Sequence, residues 1–315
     1  MEQSELFKRN ILKDTKLHDL VELEEPETVL EEVAIILKLI SPGFNLKPVR
    51  SAFRMITRIF DGNHFLYRPC TTRYHDLRHT TDAFLATARL AHGAILSREN
   101  FHERDILVAL VAALFHDTGY IQDKDDIEGT GAKFTLYHVQ RSREFLDRHG
   151  AEFGLTREEI QAGATMILYT DIKRALPDSV YSSPTVELFG RLLNAADLMG
   201  QMADRVYLEK LLFLYHEYKE GNVGEYDSEV DLIRKTPAFM DYMNQRISPV
   251  SDLVHRFMTA HFAYRWGIAA NLYQDAIEHH KEYLQKILSN PNADPRESLN
   301  RYGLVKNVRD LYGLG

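Results

Sequence analysis

The sequence predicts an all-α protein: a single multi-helix bundle with additional helices towards the C-terminus. Apolar residues recur at helical spacing through most of the chain, and the alternating apolar–polar runs that strands need are scarce. Val49, Phe53, Ile56 and Phe60 draw one stripe along a helix, and Ile106, Leu107, Leu110, Val111 and Leu114 draw another just ahead of His116. Thr156 and Glu159 make a capping-box pair before IQAGATMILYT. Ser183-Pro184 opens a helix through TVELFGRLLNAADLM, because proline fits a first turn. Residues 249–288 are expected to form one long helix or two abutting ones. Asp61-Gly62 follows a helical stripe and reads as a helix stop. The other breaks, at 41–43, 117–119, 129–131, 177–178 and 221–222, are too short for domain linkers. The expected organisation is a polar extension over residues 1–24, one helical domain over 25–290 and a polar tail over 291–315.

A hydrophobic share of 44% with 27% charged residues supplies enough apolar material for a sizeable core. The formal charge of −8 argues against a nucleic-acid polymer as partner, since such binders concentrate Lys and Arg. It leaves room for a small phosphate ester, because a bound metal reverses the local field. The sequence has no apolar run long enough for a membrane span, and the N-terminus lacks the apolar stretch of a secretory signal. Cys70 is the one cysteine, so no internal disulfide can form. A cytoplasmic location is expected.

The chemistry lies in four segments: YHDLRH (Tyr74 to His79), FHDTGY (Phe115 to Tyr120), LYTD (Leu168 to Asp171) and NAADLM (Asn194 to Met199). His116-Asp117 ends an apolar helix, where two ionisable groups are costly unless paired or ligated. His75 and His79 are spaced to share one helix face, and Asp82 falls on the same face, where it could orient His79. Asp197 has apolar neighbours on most sides of its helix and needs a cation, either a metal or an arginine such as Arg191 or Arg205. Taken singly, each has an ordinary reading as a cap, a surface contact or a salt bridge. Together, two imidazoles and two carboxylates make a mixed N/O shell that suits Zn²⁺, Mn²⁺, Fe²⁺ or Ni²⁺ better than Ca²⁺.

The order His79, His116-Asp117, Asp197 resembles the signature of HD-domain metal-dependent phosphohydrolases. Within that superfamily, Tyr74 to His79 is similar to the Y-H-N-x-x-H motif of class I cyclic-nucleotide phosphodiesterases. Asp82 falls where that family has an Asp, Thr170-Asp171 resembles its T-D motif and Ala196-Asp197-Leu198 its A-D-L motif. The resemblance runs from about residue 45 to 200. It implies an HD-type bundle in which His79, His116, Asp117 and Asp197 bind a divalent transition metal. It also implies that Asp117 bridges to a second ion, Mg²⁺ or Mn²⁺, that His75 is the general acid and that His138 lines the site. Three departures from the family stand out. Asp76 replaces its Asn, its H-D-x-D-H becomes His116-Asp117-Thr118-Gly119-Tyr120 and so lacks the second histidine, and Thr135 replaces its Glu upstream of His138.

The expected activity is hydrolysis of a 3′,5′-cyclic nucleotide to the 5′-monophosphate. The alternatives are another nucleotide phosphate ester and a non-catalytic HD-fold signalling module. Lys173 and Arg174 could offset phosphate charge. Phe257, Phe262, Tyr264 and Trp266 offer faces for a base, and Gln245 and Gln274 are candidates by type for the family's purine-gripping glutamine. The oligomeric state is left open.

Overall fold

The computed structural model describes residues 15–173, 183–299 and 301–313. Regular structure among them is helical, apart from an isolated bridge between Tyr67 and Asp123. The all-α expectation therefore holds. Among the described residues, no helix is long and apolar enough to cross a membrane. Arg174 and the break at 177–178 lie outside the described residues.

In chain order the α-helices are α1 (Pro26–Ile40), α2 (Lys47–Phe60), α3 (Leu77–Leu96), α4 (Glu103–Phe115), α5 (His138–His149) and α6 (Arg157–Leu168). They continue with α7 (Pro184–Ala203), α8 (Tyr207–Glu220), α9 (Glu229–Ile247), α10 (Ser251–Trp266), α11 (Leu272–Leu288) and α12 (Leu304–Tyr312). Local chemistry sets the ends. Thr156 and Glu159 form the anticipated capping box at α6, and Ser183 accepts from the Val186 amide at the start of α7. Gly62 takes φ of 75° just past α2, as a helix stop should. Gly267, at φ of 72°, ends α10, so residues 249–288 divide into two helices.

The bundle is organised around α3. Every residue of it from His79 to Ala94 is buried, which marks a helix enclosed on all sides. It packs against α1, α4, α7 and α10. Ala83, Ala86, Ala88, Ala91, Gly93 and Ala94 keep it slim enough for that many neighbours. At Gly93 the fit is absolute, because a Cβ there would stand 1.8 Å from the Phe257 carbonyl oxygen of α10. Helix α4 is likewise buried from Ile106 to Phe115, so the chain delivers His116 and Asp117 into the interior where that helix stops.

Polar groups also cross the α3–α10 interface. His92 and His261 share a hydrogen bond between their Nδ1 atoms at 3.0 Å, and Arg89 donates to the Tyr273 hydroxyl at 2.9 Å. Burial, followed by the nearby Arg265 charge, lowers His92 to about 4. Burial, Arg89, His92 and Arg265 lower His261 further.

Gly93→Ala should destabilise the protein by about 3 kcal/mol or more, since a backbone carbonyl cannot move aside as a side chain can. Thermal melting would measure it, and an unchanged melting temperature would contradict this packing. A second expectation concerns pH. Both histidines are lowered, so the folded state holds them neutral. Their contribution to stability is complete above their ordinary value of 6.5 and declines as pH falls from there towards 4. His92→Asn should therefore lose less stability than the parent between pH 7.5 and 4.5, read from urea midpoints; equal losses would contradict the assignment.

Candidate metal centre

Ligand-type atoms converge from different helices. His79 sits in the first turn of α3, where Asp76 caps the helix by accepting from the His79 amide at 2.9 Å. His116 and Asp117 close α4. Asp197 comes from the middle of α7. His79 Nε2 and His116 Nε2 are 3.2 Å apart, and Asp117 Oδ2 stands 3.1 and 3.3 Å from them. Bonds of about 2.1 Å to one ion place neighbouring ligand atoms about 3.0–3.4 Å apart. The buried His79–His116–Asp117 group has that geometry and could hold a metal ion. Asp197 Oδ1 approaches the same two imidazoles, at 3.2 and 3.6 Å.

Hydrogen bonding outside the cluster supports this. His116 Nδ1 donates to the Ala113 carbonyl at 2.7 Å, so its neutral ring turns a bare Nε2 lone pair towards the centre. Asp117 Oδ2 is buried with no hydrogen-bond partner among the described residues, despite its short contacts to both imidazoles. An ion at the common point would satisfy it. Without one, the groups compensate each other by proton uptake. Burial opposes a charged His79, yet Asp117 and Asp197 raise it to about 9, and the same carboxylates raise His116. Burial would lift Asp117 and Asp197, but the imidazoles hold both well below the usual carboxylate range.

The group opens onto a cavity of about 340 Å³ whose wall includes His75, Asp117, Tyr120, His138, Asp197 and Gln201. Leu136, Ile172 and Phe239 give it an apolar side, and Thr170, Asp171 and Lys173 also line it. The Thr170 hydroxyl donates back to the Ile167 carbonyl, while Asp171 accepts from the Lys173 amide.

His75 is not on a helix face with His79. Asp76 is the cap, so α3 begins only at Leu77 and His75 belongs to the preceding loop, its ring centroid 5.9 Å from that of His79. Glu217 of α8 holds this loop. Its Oε2 meets His75 Nδ1 at 2.7 Å, and its Oε1 accepts from the Arg73 and Tyr74 amides at 2.6 and 2.7 Å. The Tyr120 ring stacks on both His75, at 4.4 Å, and His138, at 4.5 Å, whose own centroids are 6.2 Å apart. Gly119 brings this turn against α5, since a Cβ there would meet the His138 carbonyl oxygen at 1.9 Å. His138 donates from Nδ1 to the Thr135 carbonyl, and its Nε2 lies 3.7 Å from Asp117 Oδ1.

Several expectations need correction. Asp82 is buried beside His79, but the direct hydrogen bond is not made: His79 Nδ1 and Asp82 Oδ1 both lack partners among the described residues. Both residues line a cavity of about 10 Å³, the room one bridging water needs. Neither arginine serves Asp197. Arg191 pairs with Glu187 and Arg205 donates to the Tyr302 hydroxyl, while Gln201 donates to Asp197 Oδ1 at 2.6 Å. The aromatic residues of α10 do not reach the cavity. Phe257 and Phe262 are wholly buried core, Tyr264 is exposed beside His92, and Trp266 lies under the Arg265 guanidinium. Gln245 is exposed and Gln274 accepts from His255, so neither lines the cavity; Gln201 and Gln140 do. Glu217 and Gln201 carry no local sequence signal, because their roles depend on partners elsewhere in the chain.

Fold and site together define a helical bundle with a buried His/Asp group that could hold a metal ion beside a cavity lined by Asp117 and Asp197. The model of the Npun_R2479-like family matches residues 67–280, and the chain belongs to that family. The match spans the metal group, His75, His138 and Glu217. No curated protein matches the chain.

An ion that binds only the folded state adds about 2.7 kcal/mol of stability at a hundredfold excess over its Kd. Chelator-stripped protein should therefore melt at higher temperature when Zn²⁺, Mn²⁺ or Ni²⁺ is restored, and Asp117→Asn should abolish the shift. A full shift in the variant would remove Asp117 from the metal group.

Proposed function

We propose that the protein is a metal-dependent phosphohydrolase of the HD-domain type, acting on a phosphodiester with a 3′,5′-cyclic nucleotide as leading substrate. One observation carries this reading: a carboxylate-paired histidine, His75 with Glu217, lines the same cavity as Asp117 and Asp197, the carboxylates that meet the buried His79 and His116. A proton donor in the same cavity as a site for a Lewis acid is the pairing that phosphodiester cleavage needs, and it supports this reading.

His79, His116, Asp117 and Asp197 would hold the ion through Nε2, Nε2, Oδ2 and Oδ1. The ion would polarise the phosphoryl group and make water a competent nucleophile near neutral pH. Gln201 keeps Asp197 turned towards the imidazoles. A second ion would find Asp117 Oδ1 and His138 Nε2 as donors, while Tyr120 and Thr135 contribute a ring and a hydroxyl where the resembling family has ionisable groups.

Glu217 engages His75 Nδ1, so Nε2 is the nitrogen left for the substrate. A proton delivered from there to the departing alkoxide contributes about 10²–10⁴-fold in rate. Leu136, Ile172 and Phe239 offer apolar contact to the organic part of the ester, and Lys173 stands at the same wall for phosphate charge.

Asp117→Ala should remove both bound metal, by elemental analysis, and turnover; full metal content with full turnover would sink the assignment. His75→Asn should keep the metal yet slow esters of sugar alkoxides by about 10²–10⁴-fold, sparing nitrophenyl esters, whose leaving group departs without a proton. Equal losses on both would contradict the acid role. For the substrate, metal-loaded protein should convert cyclic AMP or cyclic GMP to the 5′-monophosphate. Cleavage only of a generic phosphodiester or a mononucleotide would end the cyclic-nucleotide claim and leave the phosphohydrolase. No turnover of any phosphate ester would end both.

A further inference from the structure

Behind the metal group, on the far side of α3's first turn, lies a set of charges that the reaction does not touch. Lys210 of α8 is buried, with 9% of its surface exposed. Its ammonium stands 3.3 Å from Asp76 Oδ2 and 3.6 Å from Asp204 Oδ2. Asp76 is the cap of α3 and holds the His79 amide through Oδ1. Asp204 caps the C-terminal end of α7 and accepts from Arg78 at 2.8 Å and from the Val206 amide at 3.2 Å. Arg78 in turn pairs with Glu24.

Two helical turns separate Asp204 from Asp197, and two separate Lys210 from Glu217. One ammonium therefore joins the segments that carry His75 and His79, Asp197, and Glu217. We infer that Lys210 is a positioning residue for the metal centre, acting through Asp76, and that Asp76 and Lys210 form one functional unit. The inference rests on the metal reading above.

The physical argument is one of charge. An ionised cap accepts the His79 amide more strongly than a neutral one, but it also places a partly exposed carboxylate opposite the buried Asp204. Lys210 lies between the two and neutralises the repulsion. Without it, Asp76 gains by turning towards solvent, which releases the first turn of α3 and the histidine it aims. A neutral Asn at 76 would cap without needing the cation. The cost of losing Lys210 is therefore conditional on the charge at 76, which a merely space-filling lysine would not show.

Cobalt binding to the metal-stripped full chain tests this, because the visible bands of bound Co²⁺ report ligand geometry without any turnover. Lys210→Met should weaken Co²⁺ affinity by about tenfold or more, the usual scale for a residue that orients ligands, and should alter the bands. Asp76→Asn combined with Lys210→Met should return both affinity and bands close to those of the parent. Parent-like affinity and bands in Lys210→Met would overturn the inference, as would a double variant no better than Lys210→Met. If Lys210→Met does not fold, the double variant decides alone: folded with parent affinity it supports the unit, and folded but about tenfold weaker it refutes it. A parent chain that binds no Co²⁺ overturns the metal reading and this inference together. A cobalt-binding parent with an indifferent Lys210→Met overturns only the latter.

Discussion

The structure turns on the electrostatics of one interior point. Two imidazole nitrogens each meet two carboxylate oxygens at 3.1–3.6 Å inside a helical core, where uncompensated charge is expensive. Positive charge has to arrive, as protons on the imidazoles or as an ion. The raised His79 and His116 and the depressed Asp117 and Asp197 are the proton solution to that constraint. A divalent ion is the alternative, and its binding would release those protons.

The scaffold meets the constraint by using helix ends as well as helix faces. His79 lies in the first turn of α3 and His116-Asp117 at the close of α4, where side chains are less bound by helical spacing; only Asp197 comes from mid-helix. That explains how adjacent residues 116 and 117 reach one point. It also explains why α3 is buried from His79 to Ala94, since it must contact α1, α4, α7 and α10 at once to hold the ends in register. The stacked rings of His75, Tyr120 and His138 extend this order into the cavity, and Glu217 ties the His75 loop to α8. Helices beyond residue 200, which carry no motif of the resembling family, thus complete the site.

Much of this is written locally. Apolar stripes, the Thr156–Glu159 box and the Ser183 cap declare the helices, since their determinants lie within a turn or two of each other. His79, His116 and Asp117 are legible because ionisable residues at the margin of apolar helices need an explanation, and an ion supplies one. What stays hidden is every partner reached across the fold. His75 meets Glu217 from 142 positions away, and Lys210 meets Asp76 from 134. No periodicity encodes such a pair. Nor does composition tell a core aromatic from a pocket aromatic: Phe257 and Phe262 look the same in sequence as Phe239, yet only Phe239 lines the cavity. The helices and the kinds of ligand were therefore determined by sequence alone, through short-range backbone and burial energetics. Which carboxylate holds which histidine, and which apolar residues face the cavity, was decided only by packing, because those choices depend on distances the chain acquires when it folds.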